Sequence, residues 1–567
     1  MPGRLLVPGM SGRAASVTFD TLSAADARAA ADEGTAMSAN STPSSSASSS
    51  PRAASPGSPS SATSTADTAA AASRTLGVEL NGINVVHESE HKGRPRDLFW
   101  PWFAANVSVL GVSYGSFLLG FGISFWQATI VGLIGIVVSF LFCGIIALAG
   151  KRGNAPTMTL SRAPFGVNGN RVPSAISWIL TVGWETVLAS LAVLATATVF
   201  EALGWEGGVV TKVVALIVVA ALIVGGGILG FEFIMKLQMY ITIVTGVLTV
   251  VYIVLVAPTI DFAAVSAIPA GSAPAFIGAL VFMMTGFGLG WVNAAADYSR
   301  YLPKSASSRG VVFWTTFGAS LAPLLLLFFG LLLAGSDPEL NAAIASDPIG
   351  ALTTILPIWF LVPFALVAIL GLVGGAVLDI YSSGLALLST GLKAPRYVAA
   401  SIDGLLMIAG AIYVVFFAAD FLGPFQGFLI TLGVPVAAWC GIFIADLQLR
   451  KKDYALAELF DPKGRYGNWN VRAILLIVVG AVVGWGFVVS SSPGFEWEGY
   501  LLGLVGGKDG EWAYANLGVL FALVIGYLGT LVFGRASVRR QESLPTNNEQ
   551  IAGRAAAEAT TPTGLNR

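Results

Sequence analysis

The chain reads as an all-α polytopic membrane protein with twelve transmembrane helices. Three observations carry this. The 567 residues are 55% hydrophobic and only 11% charged, where soluble domains carry about 25% charged residues. Apolar runs of roughly 20 residues, long enough to cross a bilayer as helices, recur along the central stretch. The basic residues between those runs gather in alternate loops, as in a chain that crosses a membrane repeatedly.

Taken in order, residues 1–97 are rich in Ala, Ser, Thr and Pro and read as a disordered tail. It lacks the basic-then-apolar layout of a cleaved signal peptide. Twelve spans follow, near 99–121, 126–149, 172–202, 211–230, 236–257, 275–298, 311–335, 357–391, 397–418, 424–449, 472–490 and 513–534. The eighth is too long for one perpendicular helix, so its start around 350–360 is expected to form a separate short helix. From Arg535 to 567 the chain turns polar again, a second disordered tail.

Loop charges test the count. One set of loops holds Lys151, Arg152, Arg162, Arg171, Lys236, Arg300, Lys304, Arg309, Lys393, Arg396, Arg450, Lys451, Lys452, Lys463, Arg465 and Arg472. The other set holds Lys212 and Lys508, so the balance is 16 to two. Positive charge stays inside, which puts both tails in the cytoplasm and the protein in the cytoplasmic membrane. The net charge of −1 carries no information, because the charges are segregated by loop.

Glycines mark the first and sixth spans. The first contains Gly111 and Gly115, and the sixth contains Gly286, Gly288 and Gly290. Each glycine lowers helix propensity by about 1 kcal/mol relative to alanine. Interruptions five spans apart fit an inverted repeat of five plus five helices (98–257 and 275–449) with two additional helices (472–534). Broken helices 1 and 6 would then present backbone groups at a midplane site. Close helix packing through small residues is the competing reading.

Two acids lie deep in apolar stretches, Glu185 in the third span and Asp379 in the eighth. A mid-bilayer charge costs roughly 2.5–3.5 kcal/mol on insertion scales, so each is a candidate functional residue. Desolvation favours the neutral form of any carboxyl, which suits both acids to carrying a proton. The competing role is a neutral acid that only orders helix packing. Trp184 precedes Glu185, with Thr181 and Leu188 on its helical face, and Phe287 and Trp291 share a face four residues apart. Two aromatic faces make a stacking slot for a flat, π-rich ligand; lipid-facing or packing aromatics are the bland alternative.

Other acids read as structural: Asp297 with Arg300, Asp446 with Arg450, and Asp403 near Lys393 and Arg396. Glu201 and Asp420 sit at outer helix ends. Cys143 and Cys440 look like small buried hydrophobes, and His87 and His91 precede the first apolar run, so no histidine relay operates in the membrane. No Walker A sequence, nucleophile-and-base set or metal-ligand cluster occurs. The chain is therefore expected to be no enzyme and to need no cofactor. Its expected partners are a small planar heterocycle, a coupling ion and the lipid bilayer, not a nucleic acid.

Three stretches also resemble a known family: PWFAANVSVLGVSYG at 101–115, GNAPTMTLSRAPFGVNGNRVPS at 153–174 followed by Gly183-Trp184, and GFGLGWVNAAADYSRYLP at 286–303. Through them, residues 78–535 are similar to the nucleobase:cation symporters, in particular the cytosine–purine permease branch. The resemblance implies the leucine-transporter-type fold. It implies that Trp184 stacks on the substrate ring, that Phe287 or Trp291 forms the opposite wall, and that Ser113 is a polar contact. Asp379 stands where relatives usually carry a substrate-binding Asn, and Leu188 where several carry an amide. Sodium-coupled members place Ser and Thr where this chain has Val373, Gly374 and Gly375. Proton coupling through Glu185 and Asp379 is therefore favoured over sodium. The function expected is a proton-coupled nucleobase importer working by alternating access. A permease for allantoin, hydantoin or a thiamine- or pyridoxine-like ring is the second reading, and a transport-dead nutrient sensor is the reading from another class.

Overall fold

A computed structural model of the protein describes residues 93–545 except 230, 419–420 and 491–493, together with residues 83, 85, 86, 90 and 91. Most of the N-terminal tail, the chain beyond 545, His87 and Asp420 lie outside the described residues, as do the side chains of 229–238 and 346. Every regular element among the described residues is helical. The main helices are α1 (Phe99–Asn106), α2 (Leu110–Leu119), α3 (Phe125–Gly153), α4 (Arg171–Ala202), α5 (Val209–Leu229) and α6 (Phe231–Val256). After them come α7 (Ala273–Gly286), α8 (Gly288–Trp291), α9 (Ser308–Ser336), α10 (Pro338–Ser346), α11 (Ile358–Ser389) and α12 (Arg396–Phe416). The last four are α13 (Leu422–Leu449), α14 (Val471–Gly486), α15 (Leu517–Phe533) and α16 (Arg535–Ser543).

Hydropathy located these helices because each is apolar over most of its length. Among the described residues nine helical segments are long and apolar enough to cross a membrane, or up to eleven if each bent pair forms one span. The remaining apolar helix, α14, has 16 residues, fewer than the roughly 20 that a perpendicular crossing uses. The expected short helix before the eighth span is the turn Gly350–Thr353, joined by α10. Over Arg535–Ser543 the chain is helical where a disordered tail was expected, because α16 finds tertiary partners. Arg450 Nη2 donates to Gln541 Oε1 at 2.8 Å, and the Lys451 and Lys452 amides donate to Glu542 Oε1 at 2.6 and 2.7 Å.

Both predicted breaks exist, shifted from the glycines that suggested them. The helix α1 bends by 66° into α2 at Val107–Val109, so Gly111 and Gly115 lie inside α2. The sixth span breaks at Phe287 (φ −118°, ψ −107°), between Gly286 and α8, which contains Gly290. Gly115 serves packing instead. A Cβ there would run into the Gly330 backbone of α9, and a Cβ on Gly330 would run into the Val112 carbonyl. The small-residue reading holds at that crossing.

Loops at one end of the bundle are laced together by their basic residues. Lys151 Nζ donates to the Ala306 carbonyl at 2.8 Å, and Arg152 Nη2 donates to the Arg450 carbonyl at 3.1 Å. Asp446 and Arg450 form the expected ion pair at 2.9 Å. Two other expected pairs are replaced by contacts distant in sequence. Asp297 accepts from the Thr157 amide and hydroxyl at 2.8 and 2.7 Å. Asp403 is fully buried and accepts from Trp178 Nε1 at 2.6 Å and Ser383 Oγ at 2.8 Å. Hydrogen-bond donors from neighbouring helices reach these acids where local spacing suggested cations.

At the far end, the α14–α15 connection folds back over the bundle. The Gly499 amide donates to the Trp485 carbonyl at 2.8 Å and Trp485 Nε1 to the Thr431 carbonyl at 2.8 Å. This buries Glu498, which is 2% exposed. Burial pushes its carboxyl up to about 7, against the opposing effects of the Thr431 hydroxyl and Lys508.

Two predictions follow from these contacts. Gly330→Val should prevent folding, at a cost above about 3 kcal/mol, because backbone and not a flexible side chain opposes the new atoms. Gly225→Ala, which meets open space, should fold normally; detergent size-exclusion of fluorescent fusions compares the two. For Glu498, the folded loop holds a proton that the unfolded chain releases above the ordinary glutamate value. Its stabilisation is complete below that value and lost as pH rises through about 7. Hydrogen-exchange protection of residues 497–516, corrected for intrinsic rates, should fall between about pH 5 and 8, and Glu498→Gln should flatten that fall.

Candidate functional site

The two helix breaks, α4 and α11 meet around a small cavity of about 60 Å³. That is room for a few waters, at ~10–15 Å³ of such volume each. From α4 come Trp184 and Leu188, one helical turn apart. The sixth-span break brings Gly286 and Phe287, with Trp291 at the end of α8. From the first break come Asn106, Ser108, Gly111 and Tyr114.

Helix α11 contributes Gly371, Gly375 and Asp379, spaced by four and therefore on one face. The two glycines leave the wall beneath Asp379 open. A Cβ on Gly375 would meet only the Leu188 Cδ1, at 3.1 Å. Asp379 is 2% exposed and lines the cavity. It is an acceptor at the edge of an apolar slot, suited to N–H donors of a ligand.

Aromatic rings fix the remaining walls. Trp184 meets Phe425 and Phe428 of α13 edge-on, at 5.6 and 6.1 Å, and its indole N–H has no hydrogen-bond partner. A tight approach of Trp184 Nε1 to Gly290, 2.9 Å from where a Cβ would stand, explains the small residue in α8. Phe287 leans on Tyr114 with centroids 4.6 Å apart, and Trp291 meets Trp102 edge-on at 5.9 Å. Phe287 and Trp291 line the same cavity, so geometry leaves either ring available to a ligand opposite Trp184.

Three expected contacts face elsewhere. The Ser113 hydroxyl is buried and donates to the Pro348 carbonyl at 2.5 Å. Thr181 returns its hydroxyl to the Ser177 and Trp178 carbonyls, at 3.0 and 3.1 Å. Gly288 presses on α3, where its amide donates to Ser139 Oγ at 3.0 Å and its carbonyl accepts from Cys143 Sγ at 3.2 Å. Glu185 is also off the cavity. One residue along α4 turns it about 100° from Trp184, into the packing against α11 and α12. It is fully buried, and neither carboxyl oxygen has a hydrogen-bond partner.

Sequence reasoning missed Asn106, Ser108 and Tyr114. Their signal was the motif at 101–115, read there for its glycines and for Ser113. The Gly371–Gly375–Asp379 spacing was a second usable signal, since small residues one and two turns before an acid open a space beside it.

A larger hollow of about 640 Å³ opens at the far end, lined by Ser116, Phe121, Gln426, Tyr514 and others. Between it and the inner cavity stand Tyr114, Phe117, Phe282 and Phe425, with centroids 5.5 to 6.5 Å apart. Towards the basic end, Asn293 donates to Ser177 at 2.8 Å and Arg300 to the Tyr381 hydroxyl at 2.7 Å. An aromatic layer thus separates the inner cavity from the outer hollow.

Residues 85–513 match the family described as permeases for cytosine/purines, uracil, thiamine and allantoin. The putative purine-cytosine permease YxlA of Bacillus subtilis is 25% identical over 455 residues, 77% of this chain and 93% of that protein. The purine-cytosine permease FCY2 of Saccharomyces cerevisiae is 23% identical over 500 residues, 80% and 88% of the two chains. Among solved structures, Mhp1, a nucleobase-cation-symport-1 family transporter, closed with bromovinylhydantoin bound, aligns with a TM-score of 0.59 and 17% identity. The alignment covers 82% of this chain and 99% of that one. Its inward-facing conformation aligns at 0.56, again with 17% identity, over 83% and 100% of the two chains. At such identity the likeness establishes the shared fold. With the family match spanning most of its length, the chain belongs to the cytosine/purine permease family of nucleobase:cation symporters.

Proposed function

We propose that the protein is a proton-coupled importer of a nucleobase, cytosine or purine in type, that works by alternating access with its basic end in the cytoplasm. The observation that carries this reading is Asp379, opening at the edge of a cavity walled by Trp184, Phe287 and Trp291. Flat rings gain stacking area from such walls. A carboxyl at the cavity edge rewards a ring that brings N–H groups, since those groups would otherwise lose their hydrogen bonds on leaving water.

The family's description names cytosine, purines, uracil, thiamine and allantoin, and the curated relatives are called purine-cytosine permeases. Proton coupling is supported by side-chain chemistry. Val373, Gly374 and Gly375 offer no side-chain oxygen to sodium, and Glu185 is a buried acid held by no hydrogen bond. One observation favours a second reading. Asp379 accepts from ring N–H groups in either protonation state and, when ionised, also fits a cationic ring, and Mhp1 is described with a bound hydantoin. An allantoin-, hydantoin- or vitamin-type substrate is the competitor.

The test is uptake of radiolabelled cytosine against a panel of purines, pyrimidines, hydantoins and vitamin heterocycles, with and without a proton uncoupler. Cytosine or a purine should compete best, and the uncoupler should abolish accumulation. Stronger competition by hydantoins or thiamine would transfer the assignment to the second reading. Trp184→Ala should reach the membrane yet lose ring binding by about fivefold or more, as expected for about 1–3 kcal/mol of stacking. Normal uptake by that variant would remove the slot.

A further inference from the structure

On the far side of the aromatic layer, the outer hollow of about 640 Å³ has the size of a small-molecule site, roughly 300–1,000 Å³. Separate parts of the chain wall it. Phe121 follows α2, Phe282 belongs to α7, Asn341 to α10 and Gln426 to α13, and Tyr514 comes from the α14–α15 connection. Among the described residues that line it, only Glu511 is charged. With no cation to hold an anion, the wall suits a neutral or positively charged ligand.

The fold holds the polar and flat parts of this wall in place. Ser116 Oγ donates to the Asn341 carbonyl at 2.9 Å, which anchors α10 on α2. The side-chain oxygen of Asn341 is buried with no hydrogen-bond partner. Gln426 directly follows Phe425, whose ring meets Trp184 edge-on at 5.6 Å. Consecutive residues of α13 thus serve the hollow and the wall of the inner slot. Phe117 and Phe282 line the hollow and also belong to the layer, with centroids 6.3 Å apart, and Phe121 leans on Phe282 at 5.6 Å.

A water-filled entrance needs neither amides nor rings. An amide side chain offers an N–H donor and a carbonyl acceptor side by side. The edge of a nucleobase carries a complementary pair, and Asn and Gln are the side chains that engage adenine through both groups at once. Aromatic walls add stacking that every base can use.

We propose that the outer hollow is a second binding site for the same heterocycles, filled before the inner cavity. The ring lies among Phe121, Phe282 and Tyr514, and the Asn341 and Gln426 amides take its edge. This rests on the nucleobase reading above. A ring held there already touches the layer that it must pass, and it is selected by amides before Asp379 meets it.

The test uses the purified full chain in proteoliposomes, with cytosine as the probe. Ala342→Cys puts a thiol on the wall of the hollow, and native Cys143 and Cys440 are buried. The readout is the rate at which a membrane-impermeant thiol reagent labels that position, with and without cytosine. Cytosine should slow labelling, and should still do so when Trp184→Ala has disabled the inner slot. Adding Gln426→Leu should then raise the half-protecting concentration about fivefold, as for one lost hydrogen bond. If Gln426→Leu does not fold, Asn341→Leu, on another helix, gives the same reading. Protection that vanishes with Trp184→Ala, or that both amide variants leave unchanged, would overturn the second site. So would cytosine uptake with no protection in any background, and each of these results leaves the nucleobase reading standing. A wild type that takes up no cytosine would instead remove that reading, and the second site with it.

Discussion

A helix that stops inside a bilayer leaves backbone N–H and C=O groups that lipid cannot satisfy, and this constraint organises the whole bundle. Two helices stop here, at Val107–Val109 and at Phe287. The second break is clamped by α3, through Ser139 and Cys143 on the Gly288 backbone, and by α2, through the Tyr114 hydroxyl on the Gly286 carbonyl at 3.4 Å. Clamping from those sides leaves the other side free to face a cavity. The binding slot is thus the part of the interrupted midplane that the scaffold does not fill.

The same logic divides the glycines by purpose. Gly115 and Gly330 bring α2 and α9 backbones together, Gly288 lets α8 press on α3, and Gly290 makes room for the Trp184 indole. Gly371 and Gly375 differ, because the space beside them is the cavity itself. Helix packing and ligand space are built from the same residue, and only the neighbouring atoms distinguish the uses.

That ambiguity explains what the sequence could and could not disclose. The apolar helices were legible, since each pays for membrane insertion with its own composition, and the alternation of basic loops agreed with them. The pairing of Trp184 with Phe287 and Trp291 was legible from helical spacing plus resemblance. The positions of the breaks were not, because glycines used for crossing sit near glycines used for ending a helix. Nor were the partners of Asp297 and Asp403. Thr157 lies 140 residues before Asp297 and Trp178 lies 225 before Asp403, whereas local spacing offered only nearby cations. Ser113 and Thr181 stood near the slot in sequence, but the Ser113 hydroxyl is taken by the Pro348 carbonyl and the Thr181 hydroxyl by the carbonyls of its own helix, partners that spacing along the chain does not disclose. The helix α16 was hidden for the same reason, since its polar composition forms no core and its order comes from docking on Arg450, Lys451 and Lys452.

The central claim is that the small cavity between the broken helices is where the heterocycle binds, although a hollow about ten times larger opens at the far end. A structure of the protein determined with its best competing heterocycle bound tests this most directly. The account predicts ring density against Trp184, faced by Phe287 or Trp291, with a ring N–H in hydrogen-bond reach of the Asp379 carboxyl. Density confined to the outer hollow, beside Phe121 and Tyr514 with the inner cavity empty, would contradict it.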